Sequence, residues 1–166
     1  MAKKDVIIGL GEIGLPLFNL ISKFTIAEGY DIKPELRNKP KFSQYENLDV
    51  LFLHICIPFS KNFFREIYSL YKKYHPQAIV IHSTVSPYTT KNLQKKLSIP
   101  VIYSATRGIH KRMLSDLKRY TKFYAIEPKA PRAKWASSAF SLLMKKCGIK
   151  TKKMSSPVTL ELAKIL

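Results

Sequence analysis

The stretch DVIIGLGEIGLPLFNLISKF, residues 5–24, has the pattern of a strand, a tight turn and a helix. Residues 5–10 form an apolar run rich in β-branched side chains, which is typical of a buried strand in a parallel sheet. From Ile13 to Phe24 the apolar residues recur at helical spacing, and Pro16 stands in the first turn, where its missing N–H costs little. The stretch therefore predicts the first strand–turn–helix unit of an α/β protein.

Three glycines occupy the turn between this strand and this helix, in the spacing G-x-G-x-x-G. The first, Gly9, would permit the tight turn, the second, Gly11, would let a pyrophosphate approach the backbone, and the third, Gly14, would let the helix pack against the strand. Free N–H groups at the helix N-terminus would then face the phosphates. We therefore predict a dinucleotide site that includes Gly9, Gly11, Glu12, Ile13 and Gly14; an ordinary strand–helix turn is the alternative interpretation.

A lone aspartate, Asp31, follows 22 residues after Gly9 at the end of the predicted second strand. A carboxylate in this place can accept hydrogen bonds from the ribose hydroxyls of adenosine, and it would repel a 2′-phosphate. The expected cofactor is therefore NAD. Lys33 and Arg37 lie nearby and could host the extra phosphate, which leaves NADP as the alternative.

Strands alternate with helices along the rest of the chain. We predict further strands in residues 25–32, 48–57, 77–85, 99–105, 122–127 and 149–154, and helices in 60–75, 89–97, 111–120, 131–148 and 155–166. Ser60 is expected to cap the second helix, and Ser156 and Pro157 to begin the last one. This alternation predicts an α/β fold of the Rossmann type, a doubly wound, mainly parallel sheet with helices on both faces.

Length and composition bound the class of protein. A chain of 166 residues with 46% apolar residues suits one ordinary domain and is not a disordered tail. It contains no run of eighteen uncharged apolar residues, so no membrane span is predicted and a cytoplasmic location is expected. Cys56 and Cys147 stand in apolar segments and are expected to be buried thiols. Neither the cysteines nor the four histidines show metal-ligand spacing, and no metal is predicted.

The net charge is unusually positive, with 29 basic and 11 acidic residues and a formal charge of +18. Such a charge attracts anions in general, including nucleotides, sugar nucleotides and nucleic acids. The basic residues are spread along the chain and form no motif of a nucleic-acid recognition module. We interpret them as a basic solvated surface; nucleic acid is not the expected partner, although the charge leaves this open.

Two further segments resemble one family of dehydrogenases. IVIHSTVSPYTT, residues 79–90, resembles the STVPPGTT-type segment of the UDP-glucose/GDP-mannose dehydrogenase family. SSPVTLELAKIL, residues 155–166, is similar to the family's A-E-L-x-K segment, which opens the helix between its two domains. Together with GLGEIGLP and GYDI, the resemblance covers nearly the whole chain. It implies an NAD-binding domain in residues 1–156 and the start of the inter-domain helix in residues 157–166.

The resemblance also implies roles for individual residues. Added to the glycine positions and Asp31, the implied cofactor-binding residues are Ile57, Pro58, Ser83 and Thr84. Three catalytic residues are implied. Thr84 would lie by the nicotinamide, Lys164 matches the family's active-site lysine, and Glu161 matches the glutamate that precedes this lysine. A lysine ammonium could stabilise an oxyanion as hydride leaves the substrate; a solvated helix lysine is the alternative.

The chain also departs from the family pattern. Ser86 and Tyr88 stand where the family usually has proline and glycine, and residues 103–113, YSATRGIHKRM, replace its Pro-Glu-Phe-type segment. This segment instead supplies the cations Arg107, His110 and Lys111, which could bind an anionic substrate or could simply be exposed. The family's sugar-nucleotide domain, with its nucleophilic cysteine, is expected to be missing.

Three hypotheses follow for the function. The first is a nucleotide-sugar dehydrogenase-like oxidoreductase that transfers hydride from an alcohol to NAD. It would be a standalone or truncated form, incomplete as a single chain, which is either a fragment or is completed by a partner chain or a second copy. Its substrate would be a small anion or a nucleotide sugar. The second is a non-catalytic NAD-binding sensor or partner subunit. The third, prompted by the charge alone, is a nucleic-acid-associated protein with a Rossmann core.

Overall fold

A computed structural model describes residues 2–38, 45–108 and 110–166 of the chain, with His110 described by its backbone alone. Seven strands and six α-helices are present in this part of the chain. The strands are β1 (Lys4–Ile8), β2 (Ala27–Tyr30), β3 (Val50–Ile55), β4 (Ala78–Ile81), β5 (Val101–Tyr103), β6 (Lys122–Ile126) and β7 (Thr151–Lys153). The helices are α1 (Gly14–Ile21), α2 (Phe63–Tyr74), α3 (Thr89–Lys96), α4 (Met113–Arg119), α5 (Ala133–Lys146) and α6 (Pro157–Ile165). Short 3₁₀ helices cover Pro34–Leu36 and His110–Arg112.

The strands form one sheet in the order β2-β1-β3-β4-β5-β6-β7. All neighbouring pairs are parallel except β5 and β6, which are antiparallel. The prediction of a mainly parallel Rossmann-type sheet is therefore confirmed. Because β6 runs antiparallel to β5, its amino end lies at the edge of the sheet where β1, β3, β4 and β5 have their carboxyl ends.

Side chains alternate between the two faces of the sheet and form two cores. On one face, Ile7, Phe52 and Ile102 pack in a cluster that includes α1, α4 and α5 residues. On the other face, Ile8 and Ile55 belong to a cluster that includes α2 and α3 residues. Strands buried on both faces explain the nearly continuous apolar runs in the sequence.

Two local predictions need correction or completion. Helix α2 begins at Phe63 with Asn62 as its N-cap, so Ser60 is not the cap; its hydroxyl instead accepts a hydrogen bond from the Asn62 N–H at 3.2 Å. Residues 33–47 are polar and contain two prolines, which predicts a loop or a short helix; the 3₁₀ helix Pro34–Leu36 is present there, while residues 39–44 lie outside the described residues. None of the described helices combines the length and the apolar character that crossing a membrane requires.

Candidate functional site

The turn at residues 9–14, here called the glycine turn, joins β1 to α1 at the carboxyl edge of the sheet. Gly9 has φ +91°, and a Cβ on it would lie 2.8 Å from the Cys56 carbonyl oxygen. A Cβ on Gly14 would lie 1.6 Å from the Gly9 carbonyl oxygen. A Cβ on Gly11, in contrast, would meet no atom of the described part of the chain within 4 Å. The outer two glycines therefore allow the turn to close, whereas the middle one leaves open space above its backbone.

Asp31 lies directly beside this turn. Its carboxylate accepts a hydrogen bond from the Leu10 N–H at 2.8 Å and another from the Lys33 N–H at 2.9 Å. Partial burial works against ionisation, but these two N–H groups and the nearby Lys33 and Arg37 charges outweigh it and lower the pKa of Asp31. The structure thus holds an ionised carboxylate against the glycine turn, while its predicted contact with a ribose stays a prediction.

The remaining predicted cofactor residues extend the same edge across β3 and β4. Ile57 and Pro58 follow β3, and Ser83 and Thr84 follow β4. The Ser83 hydroxyl is buried and donates to the Ile57 carbonyl oxygen, so it ties the two loops together. Pro58 and Thr84 are exposed. Glu12, at the tip of the glycine turn, is exposed as well.

Beyond β4, the same edge contains a cavity of about 410 Å³, here called the lysine cavity. The end of β5, α4, the start of β6 and α6 surround it. Its charged lining residues are Arg107, Asp116, Lys122 and Lys164. Asp116 is paired with Arg112, at 3.8 Å between Oδ2 and Nε. The cavity is therefore predominantly cationic.

Lys122 and Lys164 meet at one residue, Thr106. The Lys122 ammonium donates to the Thr106 hydroxyl at 3.2 Å and to the Ser104 carbonyl oxygen at 2.7 Å. The Lys164 ammonium donates to the Thr106 carbonyl oxygen at 2.9 Å. Lys122 is 5% exposed, and burial, reinforced by the Lys164 charge, lowers its pKa to about 7 although Cys56 opposes the shift. Lys122 was not predicted as a site residue.

Glu161 has a different position from the one its pairing with Lys164 suggested. It is fully buried and is not part of the cavity lining. Its carboxylate accepts hydrogen bonds from the N–H groups of Tyr88 and Thr90, at 3.1 and 3.0 Å, and from the Thr90 hydroxyl at 3.1 Å. These contacts cap the N-terminus of α3 and fasten α6 to it. The geometry gives Glu161 a structural role and leaves Lys164 as the member of the pair that reaches the cavity.

Tyr88 explains one departure from the family pattern. It precedes α3 with φ +69°, in the left-handed region that favours glycine, and its side chain is largely exposed. The resemblance aligned this tyrosine with a family glycine. The backbone at this position is therefore one that a glycine would adopt with less strain.

The predicted cationic substrate residues separate in the structure. Arg107 lines the lysine cavity, with its guanidinium carbon 5.3 Å from the centre of the Tyr120 ring. Lys111 is exposed on the 3₁₀ helix and is not part of the lining. The side chain of His110 lies outside the described residues.

A chain of buried polar side chains runs through the sheet towards this edge. The Asp5 carboxylate lies 3.1 Å from His54 Nε2, and His54 Nδ1 lies 2.9 Å from His82 Nε2. All three residues are at most 2% exposed. Burial, helped by the Lys122 charge and His54, keeps the pKa of His82 well below its usual value, so His82 is neutral at pH 7. Of these two neighbouring bases, Lys122 rather than His82 is therefore the one that titrates near pH 7.

Neither cysteine is an activated thiolate. Burial raises the pKa of Cys56 to about 12, although Lys122 partly offsets the shift. Burial raises the pKa of Cys147 to about 11. Both thiols are therefore protonated at neutral pH. Cys147 is buried, as predicted, whereas the side chain of Cys56 is only partly buried.

The fold is shared with solved dehydrogenase structures. A UDP-D-ManNAc dehydrogenase from Pyrococcus horikoshii matches over 98% of this chain and 49% of its own, with a TM-score of 0.76 and 16% identity. A UDP-N-acetyl-mannosamine dehydrogenase from Staphylococcus aureus matches over 98% of this chain and 50% of its own, with a TM-score of 0.67 and 16% identity. A prephenate dehydrogenase from A. aeolicus, in complex with hydroxyphenyl propionate and NAD+, matches over 97% of this chain and 62% of its own, with a TM-score of 0.69 and 17% identity.

No family model and no curated protein matches this sequence. This chain spans about half the length of each of the two UDP-sugar dehydrogenases described above. The resemblance that the sequence suggested is thus confirmed as a likeness of fold to nucleotide-sugar dehydrogenases, over nearly the whole chain.

Proposed function

We propose that this chain is the NAD-binding domain of a nucleotide-sugar dehydrogenase-like oxidoreductase that transfers hydride from an alcohol to NAD. The observation that carries the proposal is the glycine turn with the ionised Asp31 beside it. The neighbours of the same fold include UDP-sugar dehydrogenases and a prephenate dehydrogenase with NAD+ bound, which supports the choice of chemistry and cofactor.

The residues present fit a dinucleotide. The open space at Gly11 would admit a pyrophosphate, and the N-terminus of α1 would face it with free N–H groups. Asp31 would accept hydrogen bonds from the ribose hydroxyls of adenosine and disfavour a 2′-phosphate. Ile57, Pro58, Ser83 and Thr84 would line the edge towards the nicotinamide. When bound, NAD supplies the acceptor for a hydride.

This chain's own residues would act on the substrate from the lysine cavity. Lys164 would stabilise negative charge that develops on the substrate oxygen, because its ammonium is held at the cavity by the Thr106 carbonyl oxygen. Arg107 would contribute to binding an anionic or nucleotide-sugar substrate. Cys56 and Cys147 take no part, because both are protonated at neutral pH. The proposed reaction is therefore oxidation of an alcohol to a carbonyl compound, completed with a partner chain or a second copy.

The test is a titration of the chain with NAD(H) and NADP(H), followed by fluorescence or calorimetry, with the variant Gly11→Val. We expect NAD to bind more tightly than NADP and Gly11→Val to weaken NAD binding at least about tenfold, because the added side chain fills the space left for the pyrophosphate. Thermal unfolding should change little, because nothing lies within 4 Å of the added Cβ.

Ser138→Val, on the exposed side of α5, is the matched control and should bind NAD as the unmodified chain does. Absence of NAD(H) and NADP(H) binding at millimolar concentration would reject the proposal. NADH production with a panel of sugar nucleotides then tests catalysis, and Lys164→Ala should abolish it while leaving NAD affinity intact. If NAD binds but no alcohol in the panel is oxidised, the non-catalytic sensor or subunit becomes the better description.

A further inference from the structure

The lysine cavity places three cations around one space. Lys122 enters from the amino end of β6, Lys164 from α6, and Arg107 from the loop after β5. The two lysines both donate to Thr106, so their ammonium groups flank a single residue. Three positive groups repel one another in a concave, partly desolvated space, and such an arrangement is stabilised when an anion occupies it.

Among the described residues, the hydrogen-bond acceptors of the two lysines are neutral oxygens and include no carboxylate. Their acceptors are the Ser104 carbonyl oxygen and the hydroxyl and carbonyl oxygens of Thr106. Within residues 2–38, 45–108 and 110–166, no acidic side chain forms an ion pair with either ammonium. Buried charges in proteins are ordinarily paired, so an uncompensated buried ammonium facing a cavity indicates a ligand of opposite charge.

The ionisable groups on the described elements around Lys122 do not neutralise the charge of its ammonium. Cys56, after β3, is protonated at neutral pH. His82, after β4, is fully buried and is neutral at pH 7. From α6 comes the cation Lys164, and from the β5 loop the cation Arg107. The carboxylate of Asp116, on α4, is already engaged by Arg112.

We propose that the lysine cavity is an oxyanion-binding site, in which a phosphate or carboxylate of the substrate lies between Lys122 and Lys164. This inference rests on the proposed function, because it defines the alcohol substrate as one that carries such a group. The buried Lys122, rather than the exposed Lys111, is then the residue that fixes the anion. Arg107 adds a third donor at the rim of the cavity.

The low pKa of Lys122 makes binding sensitive to pH. Below about pH 7 the amine is protonated and attracts the anion; above that value it loses the proton and the attraction weakens. A bound anion favours the protonated form and therefore raises the pKa of Lys122. Affinity for an anion of constant charge should accordingly fall as the pH rises from 6 to 9.

The experiment measures binding of sulfate and of acetate to the full chain at pH 6 and pH 9, by calorimetry or by NMR shifts. Sulfate stands in for a phosphate and acetate for a carboxylate, and the charge of each stays nearly constant in this range. We expect at least one of them to bind at pH 6 and to lose affinity about tenfold or more at pH 9. Glucose, which is neutral, serves as the uncharged control.

Variants of the two cavity lysines test whether the pH-dependent anion binding takes place in the lysine cavity. Lys122→Met should lower affinity at pH 6 about tenfold and remove the pH dependence, whereas Lys122→Arg should retain binding at pH 9 because the guanidinium stays charged. Lys164→Met, a change at an exposed side chain, covers the case in which Lys122→Met fails to fold. Lys33→Met, beside Asp31, is the matched control for an anion at the glycine turn and should leave the affinity unchanged.

The outcomes separate this inference from the proposed function. If neither anion binds at pH 6, or if Lys33→Met weakens binding while the Lys122 and Lys164 variants do not, the cavity is not the anion site. The same samples are titrated with NAD. Binding of NAD without binding of either anion overturns the cavity site alone, and anion binding at the cavity without NAD binding overturns the cofactor proposal alone.

Discussion

The glycine turn and the lysine cavity lie at the same edge of one sheet, but they are built from different parts of the chain. The turn is made by the backbone of residues 9–14, and its shape requires glycines, which have no Cβ atom, at positions 9 and 14. The cavity is made by side chains that four separate segments bring together, and its charge depends on a proton on Lys122. A backbone site of this kind is altered by added atoms, whereas a side-chain site is altered by changes in charge.

The largest effect is expected from alanine at two glycines of the turn. Gly14→Ala should lower the free energy of unfolding by at least about 3 kcal/mol, because the added Cβ would overlap the Gly9 carbonyl oxygen and the helix would have to move away from the strand. Gly11→Ala should change it by less than about 1 kcal/mol, because its Cβ enters open space. Urea unfolding of both variants measures the contrast.

Equal effects of the two alanine substitutions would show that the turn is not closed by the contact between Gly14 and Gly9. In that case the different roles assigned to Gly14, which packs the helix against the strand, and to Gly11, which faces the ligand, would not hold. A small effect at both positions would equally contradict the geometry, since no turn of this shape accommodates a Cβ on Gly14.

The two regions also differ in how far the sequence could predict them. The glycine turn and Asp31 were predictable because the strand, the turn and the helix are adjacent in sequence and each has a local pattern. Lys122 was not, since it is one of 29 basic residues and stands at the start of a short strand. Its burial depends on β6 running antiparallel to β5, which brings its amino end to the functional edge. This antiparallel pairing arises only when the sheet is assembled, so the local sequence around Lys122 does not predict it.

Glu161 illustrates the same limit on the other side of the cavity. The ELAK pattern, residues 161–164, indicated two residues one helical turn apart, and both were implied to be catalytic. The structure separates them because α6 packs against the N-terminus of α3, which buries Glu161 as a cap while Lys164 reaches the cavity. The signal that could have distinguished them is the pair of threonines at 89 and 90, which mark a helix start that needs an acceptor.

An effect of intermediate size is expected for the pH dependence of stability. The pKa of Lys122 is about 7 in the folded chain and 10.5 in the unfolded one, so the unfolded state binds more protons between these values. The free energy of unfolding should therefore rise by about 2 kcal/mol between pH 7 and pH 9. Lys122→Met should lose most of this rise.

The range stops at pH 9 because the thiols of Cys56 and Cys147 act in the opposite direction above it, since the pKa of each is raised in the folded state. Lys118→Met, at an exposed position on α4, is the control and should keep the rise. Denaturant titrations at pH 7, 8 and 9 give the values. If Lys122→Met and the unmodified chain show the same slope, Lys122 is charged in the folded state throughout, and the pH dependence inferred for the cavity fails with it.

The smallest effect is expected at Glu161, whose carboxylate joins α6 to the start of α3. Glu161→Gln removes the charge that accepts three hydrogen bonds at the start of α3, and its amide NH₂ would face a donor instead of accepting from it. We expect a loss of about 1 to 2 kcal/mol in the free energy of unfolding, measured by urea denaturation. Glu66→Gln, exposed in the first turn of α2, should change it by less than about 0.5 kcal/mol.

The same substitution reports on how α6 positions Lys164. If Glu161 holds the helix in place, loosening it should weaken sulfate binding at the cavity, since Lys164 lies one turn further along α6, while NAD binding at the glycine turn stays unchanged. A loss of NAD affinity would mean that the two regions are coupled through the sheet. Unchanged stability and unchanged sulfate binding would mean instead that α6 is held by its apolar contacts, and that the buried carboxylate is dispensable for positioning Lys164.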